Sequence, residues 1–124
     1  KGIDLYVGTG GAPEGVLAAA ALQCTGGGML GRLVFRNNDE RARAERCGIT
    51  DYDKIYSLNE LAKPDNVMFC ATRVTDGAML QGVKRRSGRA HTQTIVMRSR
   101  SGTVRIVDTH HNFKRKQGFT PLDQ

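Results

Sequence analysis

The sequence predicts an α/β domain with a mixed sheet and a terminal β-hairpin, and three observations support this prediction. Segments with strand-like alternation of apolar residues take turns with segments that carry helix caps, as in layered α/β folds. Two long β-prone runs flank "SRSG" at residues 99–102. No Gly-, Pro- or Ser-rich linker divides the 124 residues, a length typical of one domain.

The first two elements enclose a glycine-rich loop. "IDLYVG" at residues 3–8 has apolar residues at every second position and predicts a half-buried strand. "PEGVLAAAALQC" at residues 13–24 predicts a helix, with Pro13 at the first helical position. The flexible "TGGG" at residues 25–28 ends this helix.

The next elements are shorter, and the last two form the hairpin. The chain continues with a strand over "GRLVFR" (31–36) and a helix over "NNDERARAERCG" (37–48), with Asn38 as N-cap and Gly48 at its end. A strand over "DKIYS" (53–57) and a helical turn or two over "LNELAK" (58–63) follow. The next elements are a strand buried on both faces over "NVMFCAT" (66–72) and a short helix over "DGAMLQGV" (76–83) with Asp76 as N-cap. "RAHTQTIVMR" (89–98) and "TVRIVDTHH" (103–111) are the hairpin strands. We divide the chain into an α/β portion, residues 1–113, and a polar tail, residues 114–124.

The amino-acid composition limits the classes of binding partner and the cellular compartment that fit this chain. Nineteen Lys and Arg against twelve Asp and Glu give a net charge of +7, which fits nucleic acid, a phosphorylated small molecule or a solvated basic surface. No apolar run approaches the roughly 20 residues of a membrane helix, and no signal-peptide pattern opens the chain. Cys24, Cys47 and Cys70 lack metal-ligand spacing, so we expect free thiols, small core residues in a reducing cytoplasm. The absence of an initial Met suggests part of a longer protein or a trimmed chain.

The loop "GTGGAPEGV" at residues 8–16 raises a question about charge. Gly8 and Gly10 match the start of the dinucleotide-binding pattern G-x-G-x-x-G, but Pro13 replaces its third glycine. Glu14 would also bring negative charge towards a pyrophosphate at the helix N-terminus. The dinucleotide-binding interpretation therefore fails on two counts.

A divalent cation removes this conflict. A carboxylate in a first helical turn is favoured in its ionised form, and Mg²⁺ or Mn²⁺ commonly bridges such oxygens to substrate phosphates. Glycine N–H groups can contact the same substrate from the side. The residues alone leave two interpretations of Glu14 open, a metal ligand or a partner of the helix dipole.

Several separated blocks, taken together, resemble class II fructose-1,6-bisphosphatase, a bacterial gluconeogenic family. The blocks are "GGAPEG", "AAAAL", "GRLVFRN", "DNVMFCAT", "VTDG" and "QTIVMRSRSGTVRIVDT", which run in order from about Asp4 to His111. The match is to the C-terminal part of that family. The resemblance implies a layered sugar-phosphatase fold of the lithium-sensitive, metal-dependent superfamily.

The resemblance also implies an activity and site residues. It implies hydrolysis of the 1-phosphate of fructose 1,6-bisphosphate to fructose 6-phosphate and phosphate, with Mn²⁺ or Mg²⁺ activating water. Glu14 takes the family's metal-ligand position and Gly11 its substrate-facing position, with Gly10 as a second candidate. In the family the other acidic ligands, the water-positioning threonine and the phosphate-binding arginines belong to the N-terminal two-thirds. We therefore expect no catalytic residue in this chain, no activity from it alone, and the N-terminal remainder of the same enzyme as its partner, in a cytoplasmic homo-oligomer.

One residue departs from the family pattern, and other charged residues favour structural roles. The family has "ATG" where this chain has "ATR", so Arg73 would be strained if that position requires a positive φ. We expect Arg98 and Arg100 to share a strand face and "KRR" (84–86) to form a surface turn. The remaining residues that we interpret as structural or solvated are Arg105, Asp108, His91, His110 and His111, the last two on opposite faces of a strand.

Two other classes of function stay open on the sequence alone. The net charge of +7 also fits a basic nucleic-acid-binding module, although no aromatic residues lie between the arginines for base stacking. The glycine loop also fits a nucleotide-binding α/β domain, weakened by Pro13 and Glu14. We expect neither nucleic acid nor membrane as a partner.

Overall fold

The computed structural model of this chain describes residues 4–116, so the predictions for Ile3 and for residues 117–124 lie outside the described residues. The helices are α1 (Ala12–Thr25), α2 (Asn38–Arg46) and α3 (Leu58–Leu61), and a 3-10 turn spans Phe113–Arg115. The strands are β1 (Leu30–Arg32), β2 (Ile55–Ser57), β3 (Met68–Thr72), β4 (Lys84–Arg86), β5 (Arg89–Arg98) and β6 (Thr103–Asn112). This combination of helices and strands, closed by the β5–β6 hairpin, confirms the predicted α/β class.

Strand β5 is the centre of a four-stranded sheet. β3 and β4 pair with opposite ends of β5 along one edge, and β6 pairs along the whole of the other edge. β1 and β2 form a separate two-stranded sheet. All pairings described between residues 4 and 116 are antiparallel, so the parallel pairs expected of a mixed sheet are not found there. Parallel neighbours need a long, usually helical crossover, and the segment between β3 and β4 contains no helix.

Helix α1 packs on one face of this sheet through its C-terminal half. The buried cluster contains Cys24 of α1, Leu80 of the loop before β4, and Ile95 and Met97 of β5. The Cys24 thiol also lies 3.6 Å from the carbonyl oxygen of Val67. The core therefore fixes the end of α1, while the first turn of the helix is exposed.

The predicted end of α1 is confirmed, whereas its start lies one residue earlier than predicted, so that Pro13 is the second helical residue. Pro13 lies in the first turn, where a missing N–H costs no intrahelical hydrogen bond. Gly26 adopts the left-handed conformation, with φ 80°, and its N–H donates to the Leu22 carbonyl at 2.9 Å. Glycine ends the helix here because it carries no Cβ to oppose a positive φ.

Helix α2 begins one residue earlier than its predicted cap. Asn37, rather than Asn38, is the N-cap, because its extended backbone directs the side-chain oxygen to the Glu40 N–H at 2.9 Å. Asn38 is the first helical residue. The predicted stop at Gly48 is confirmed by its φ of 80°.

The first predicted strand is wrong for the residues that the structure describes. Residues 4–11 have no regular secondary structure, and Leu5 and Val7 are 80% and 84% exposed. A strand is stable only with a neighbour to receive its N–H and C=O groups, and no described strand lies beside this segment. The second predicted strand, residues 31–36, is also shorter in the structure, where it corresponds to β1 and ends at Arg32.

The predicted helix over residues 76–83 is replaced by a loop. Asp76 does not cap a helix, and its side-chain oxygen instead accepts from the Gly82 N–H at 2.8 Å. The loop is closed by the Val83 N–H, which donates to the Val74 carbonyl at 2.9 Å. A Cβ at Gly82 would lie only 2.5–2.7 Å from the backbone of residues 74–76, so the close approach requires glycine.

The face of β3 opposite α1 is exposed in the described structure. Phe69 of β3 is half-buried on the α1 side, whereas Met68 and Cys70 on the opposite side are exposed, so the prediction of burial on both faces is wrong. "KRR" is strand β4 and not a turn, because the turn falls at residues 87–88. Arg100 likewise lies in the hairpin turn and does not share a strand face with Arg98.

The three cysteines are free, as predicted. Only Cys24 is a core residue. Cys47 and Cys70 are exposed, so the expectation that all three are core residues is wrong. No helix within residues 4–116 is long and apolar enough to cross a membrane.

Candidate functional site

The glycine loop leads directly into the N-terminus of α1. Gly11 is the N-cap, with φ −66° and ψ 148°, and its carbonyl accepts the Gly15 N–H at 3.0 Å. Because Gly11 has no side chain, no side-chain oxygen caps the first turn of α1. The N–H groups of Ala12 and Glu14 are among those that an intrahelical bond leaves unpaired at a helix start. An N-terminus of this kind attracts an anionic group.

The Glu14 carboxylate folds back over Gly11. A Cβ built on Gly11 would overlap Oε2 of Glu14 and lie 3.1 Å from its carboxyl carbon. A Cβ built on Gly10 would meet nothing within 4 Å. The structure therefore brings Gly11 and Glu14 together and leaves Gly10 without a contact that requires glycine.

This loop offers one carboxylate ligand for a divalent metal ion. Glu14 is exposed and supplies hard oxygen atoms, which Mg²⁺ and Mn²⁺ prefer. Across residues 4–116, no group of three or more His, Cys, Asp or Glu side chains is arranged to hold a metal ion. Since Mg²⁺ takes six ligands, any ion held by Glu14 needs further ligands from outside the described residues or from substrate and water.

The other carboxylates considered in the sequence are engaged elsewhere. Asp76 accepts from the Gly82 N–H within its own loop. Asp108 accepts from Nε2 of His91 at 2.9 Å and from the Gln93 amide at 3.2 Å. Both carboxylates therefore bind groups of the sheet and its loop, which agrees with the structural interpretation of Asp108, whereas the N-cap role predicted for Asp76 is wrong.

The histidines form a cluster that the sequence analysis missed. His91 and His110 stack with ring centroids 4.6 Å apart, beside the His91–Asp108 pair. His111 lies on the opposite face, where its Nε2 is 3.0 Å from the Thr92 hydroxyl, so the predicted separation of His110 and His111 is confirmed. The hairpin register was the available signal, because the "SRSG" turn places residue 91 opposite residue 110.

Arg73 is accommodated without the backbone strain considered above. Every residue with positive φ in the described part of the chain is a glycine, so Arg73 has an ordinary backbone conformation. Its guanidinium lies against Gly77, where any side chain would overlap it. Arg98, considered a solvated or subunit-contact residue, donates from Nε to the Asn66 side chain at 2.9 Å.

The Glu60 carboxylate, whose pKa lies far below its ordinary value, belongs to a helix cap. The Ser57 N–H, the Lys54 ammonium and the Ser57 hydroxyl all bind the Glu60 carboxylate and lower the pKa of Glu60 to about 2. This capping box begins α3. The perturbation stabilises a helix start, and it does not mark a catalytic acid or base.

Comparison with known proteins gives the family of the chain. The family described as "Bacterial fructose-1,6-bisphosphatase, glpX-encoded" matches residues 1–111. A Synechococcus elongatus protein named "D-fructose 1,6-bisphosphatase class 2/sedoheptulose 1,7-bisphosphatase" is 40% identical over 119 residues, covering 86% of this chain and 34% of that protein. A protein of the same name from Synechococcus sp. (strain JA-3-3Ab) is 41% identical over 122 residues, covering 89% and 35%. The chain thus spans about a third of the length of these curated relatives.

Proposed function

This chain belongs to the bacterial fructose-1,6-bisphosphatase family, and we propose that the complete polypeptide removes the 1-phosphate of D-fructose 1,6-bisphosphate in gluconeogenesis. The products are fructose 6-phosphate and inorganic phosphate, and the cofactor is Mn²⁺ or Mg²⁺. The observation that carries the proposal is the exposed Glu14 carboxylate folded over Gly11 at the uncapped start of α1. The names of the relatives support the same chemistry.

Three features of this chain contribute to the reaction. Glu14 would hold the divalent ion, and the bound ion would neutralise phosphate charge and lower the pKa of a water molecule. Gly11 faces the substrate, and its lack of a side chain leaves room for the carboxylate. The unpaired N–H groups of the first turn of α1 orient a phosphate oxygen by hydrogen bonding. Gly10 remains a second candidate for substrate contact.

The remaining catalytic groups are proposed to come from the N-terminal remainder of the same polypeptide. Apolar side chains support this partner, because a monomeric domain normally covers contiguous apolar surface. The exposed fractions of Leu5, Tyr6 and Val7 exceed 79%, and that of Met68 is 66%. We propose that the remainder covers these residues and that residues 1–113 and 114–124 form an α/β portion and a tail. The free thiols fit a cytoplasmic enzyme. We also propose that the complete polypeptide forms a homo-oligomer, which analytical ultracentrifugation tests.

The test uses the complete polypeptide and follows phosphate release from fructose 1,6-bisphosphate. We expect release with Mn²⁺ and loss of release when a chelator removes the ion. Glu14→Gln removes the charge while keeping the shape, and it should lower kcat/KM by at least about a hundredfold, since even outer-shell partners of metals contribute 10–100-fold. The same assay with sedoheptulose 1,7-bisphosphate tests the second substrate in the relatives' names.

A matched control separates the metal role from the helix-dipole role. Asp39→Asn also removes a first-turn acid, here from α2, and should leave kcat/KM within about threefold of the wild type. Glu14→Gln with wild-type activity and unchanged Mn²⁺ dependence would overturn the ligand role. Salt-sensitive binding to random duplex DNA without phosphate release would favour the nucleic-acid-binding alternative.

A further inference from the structure

Strands β4, β5 and β6 place a set of basic and hydrogen-bonding side chains on one face of the sheet. The strand register aligns Lys84, His91 and His110 in one row across the three strands. It aligns Arg86, Arg89 and Asn112 in the next row on the same face, two residues along each strand. With strands about 4.8 Å apart and rows about 6.8 Å apart, the six side chains cover roughly 10 by 7 Å.

These side chains line a surface cleft of about 510 Å³. Its lining contains three cationic side chains, from Lys84, Arg86 and Arg89, and no carboxylate. Among the described residues, neither Arg86 nor Arg89 forms a salt bridge or a side-chain hydrogen bond. The Lys84 ammonium donates only to a neutral acceptor, the Gln81 side chain, at 2.7 Å. The guanidinium groups of Arg86 and Arg89 therefore have no carboxylate partner among the described residues, and the nearest carboxylate on this face, that of Asp108, binds His91.

The floor of the cleft is held in a fixed arrangement. His91 is oriented by its 2.9 Å contact with Asp108 and by stacking on His110. Gln93 binds the same carboxylate and accepts from the Gln81 N–H at 2.7 Å, which ties the loop before β4 to β5. The donors therefore stand on paired strands, so less side-chain freedom is lost when a ligand binds.

From this arrangement we propose a second anion site, which binds the phosphate group of a small phosphorylated molecule. Two guanidinium groups and an ammonium group supply the charge-assisted donors that phosphate oxygens prefer. The patch is the size of one or two phosphates, and its lining contains no Phe, Tyr or Trp on which the bases of single-stranded nucleic acid would stack. The site consists of sheet residues and includes neither Glu14 nor the glycine loop, so it does not depend on the proposed phosphatase activity.

Titration of the complete polypeptide with inorganic phosphate tests the site. Histidine ¹³C-labelled protein, with divalent metals chelated and ionic strength held constant, reports on His91 and His110 by NMR. Single His→Gln variants at these two positions assign the resonances. We expect both to shift with one common saturation curve below about 20 mM phosphate.

Charge-matched double variants decide which face binds. Arg86→Gln with Arg89→Gln should raise the phosphate Kd at least about tenfold, since each guanidinium makes charge-assisted bonds. Arg85→Gln with Arg105→Gln removes the same charge from the opposite face and should change the Kd less than about threefold. If circular dichroism shows the first double variant unfolded, Lys84→Gln alone takes its place and should weaken binding severalfold.

The outcomes separate this site from the active site. Glu14→Gln should leave the histidine titration unchanged, so loss of phosphatase activity and loss of this site are independent results. Resonances that do not move with phosphate would overturn the proposal, as would equal weakening by the two charge-matched double variants. Shifts produced by duplex DNA but not by phosphate would also overturn it, in favour of a nucleic-acid surface.

Discussion

The contact between Gly11 and Glu14 predicts that one added methyl group will separate catalysis from folding. Gly11 has φ −66° and ψ 148°, a conformation that alanine adopts without strain. Its Cβ would nevertheless overlap Oε2 of Glu14 and lie 3.1 Å from the carboxyl carbon. Because non-bonded heavy atoms settle about 3.5 Å apart, the carboxylate must move by roughly 1 Å or more.

A displacement of this size is large for catalysis and small for stability. A misplacement of about 1 Å can cost about a hundredfold in rate, so we expect Gly11→Ala to lower kcat/KM of the complete polypeptide by about that factor. The exposed carboxylate can rotate into solvent, so the free energy of unfolding should change by less than about 1 kcal/mol. Gly10→Ala is the matched control, since its Cβ would meet nothing within 4 Å.

The assay measures phosphate release from fructose 1,6-bisphosphate over a range of Mn²⁺ concentrations, with thermal unfolding recorded on the same samples. Gly11→Ala should require more Mn²⁺ for half-maximal activity, and Gly10→Ala should stay within about threefold of the wild type. Wild-type activity in Gly11→Ala would refute the reasoning. Equal damage in both variants would also refute it, because the loss would then come from substrate contact along the whole loop.

Two further predictions concern the scaffold of the complete polypeptide. Glu60 has a pKa of about 2 in the fold, below its ordinary 4.5, so its ionised form stabilises the fold above pH 4.5 and this contribution is lost as pH falls towards 2. Lys54→Met should raise the pKa of Glu60, which is measured from its carboxyl ¹³C resonance. An unchanged pKa in Lys54→Met would contradict the role of the Lys54 ammonium, as would an equal rise in the control Lys63→Met. Gly82→Ala should lower the unfolding temperature and reduce the free energy of unfolding by about 1–3 kcal/mol, because the added Cβ would lie 2.5–2.7 Å from backbone atoms. Gly28→Ala, with nothing within 4 Å, should leave that temperature nearly unchanged, and equal melting of the two variants would contradict the packing argument.

Local chemistry made the ends of the helices and the hairpin predictable. Pro13 and Gly26 delimit α1, and Gly48 follows α2, because each residue has a backbone preference that needs no distant partner. The one-residue error at Asn38 arose because two adjacent asparagines are equally good caps in sequence. The backbone conformation of Asn37 decides between them.

Elements that depend on distant partners were not predictable from their own residues. Residues 4–7 have a strand pattern, yet a strand forms only where another strand can pair with it. The apolar β3 suggested burial on both faces, although only its α1 side is covered in the described structure. The segment from Asp76 to Val83 forms a loop instead of the predicted helix because Gly82 packs against the preceding backbone. Sequence patterns of helices do not encode such a tertiary contact.

The candidate site was predictable in part, for the same reason. The spacing of Gly11 and Glu14 around the start of a helix brings them together whatever the rest of the fold does. The sequence could not distinguish Gly10 from Gly11, because the distinction depends on the side-chain direction of Glu14 in the fold. The His91–Asp108 pair needed the hairpin register, which joins residues 17 positions apart.

The charge of the chain and its glycine loop belong to different parts of the molecule. Residues 8–16 contain one acid and no Lys or Arg, so the net charge of +7 cannot attract phosphate to this loop at close range. Part of the excess lies instead in "KRRSGR", residues 84–89, where four of six side chains are basic. Phosphate binding at the β4–β6 cleft should therefore weaken steeply with added salt, since exposed charges are screened beyond about 8 Å at physiological ionic strength. The proposed metal-mediated binding at Glu14 would act at contact distance and should depend on salt far less, so the salt dependence of each titration identifies which of the two sites it reports.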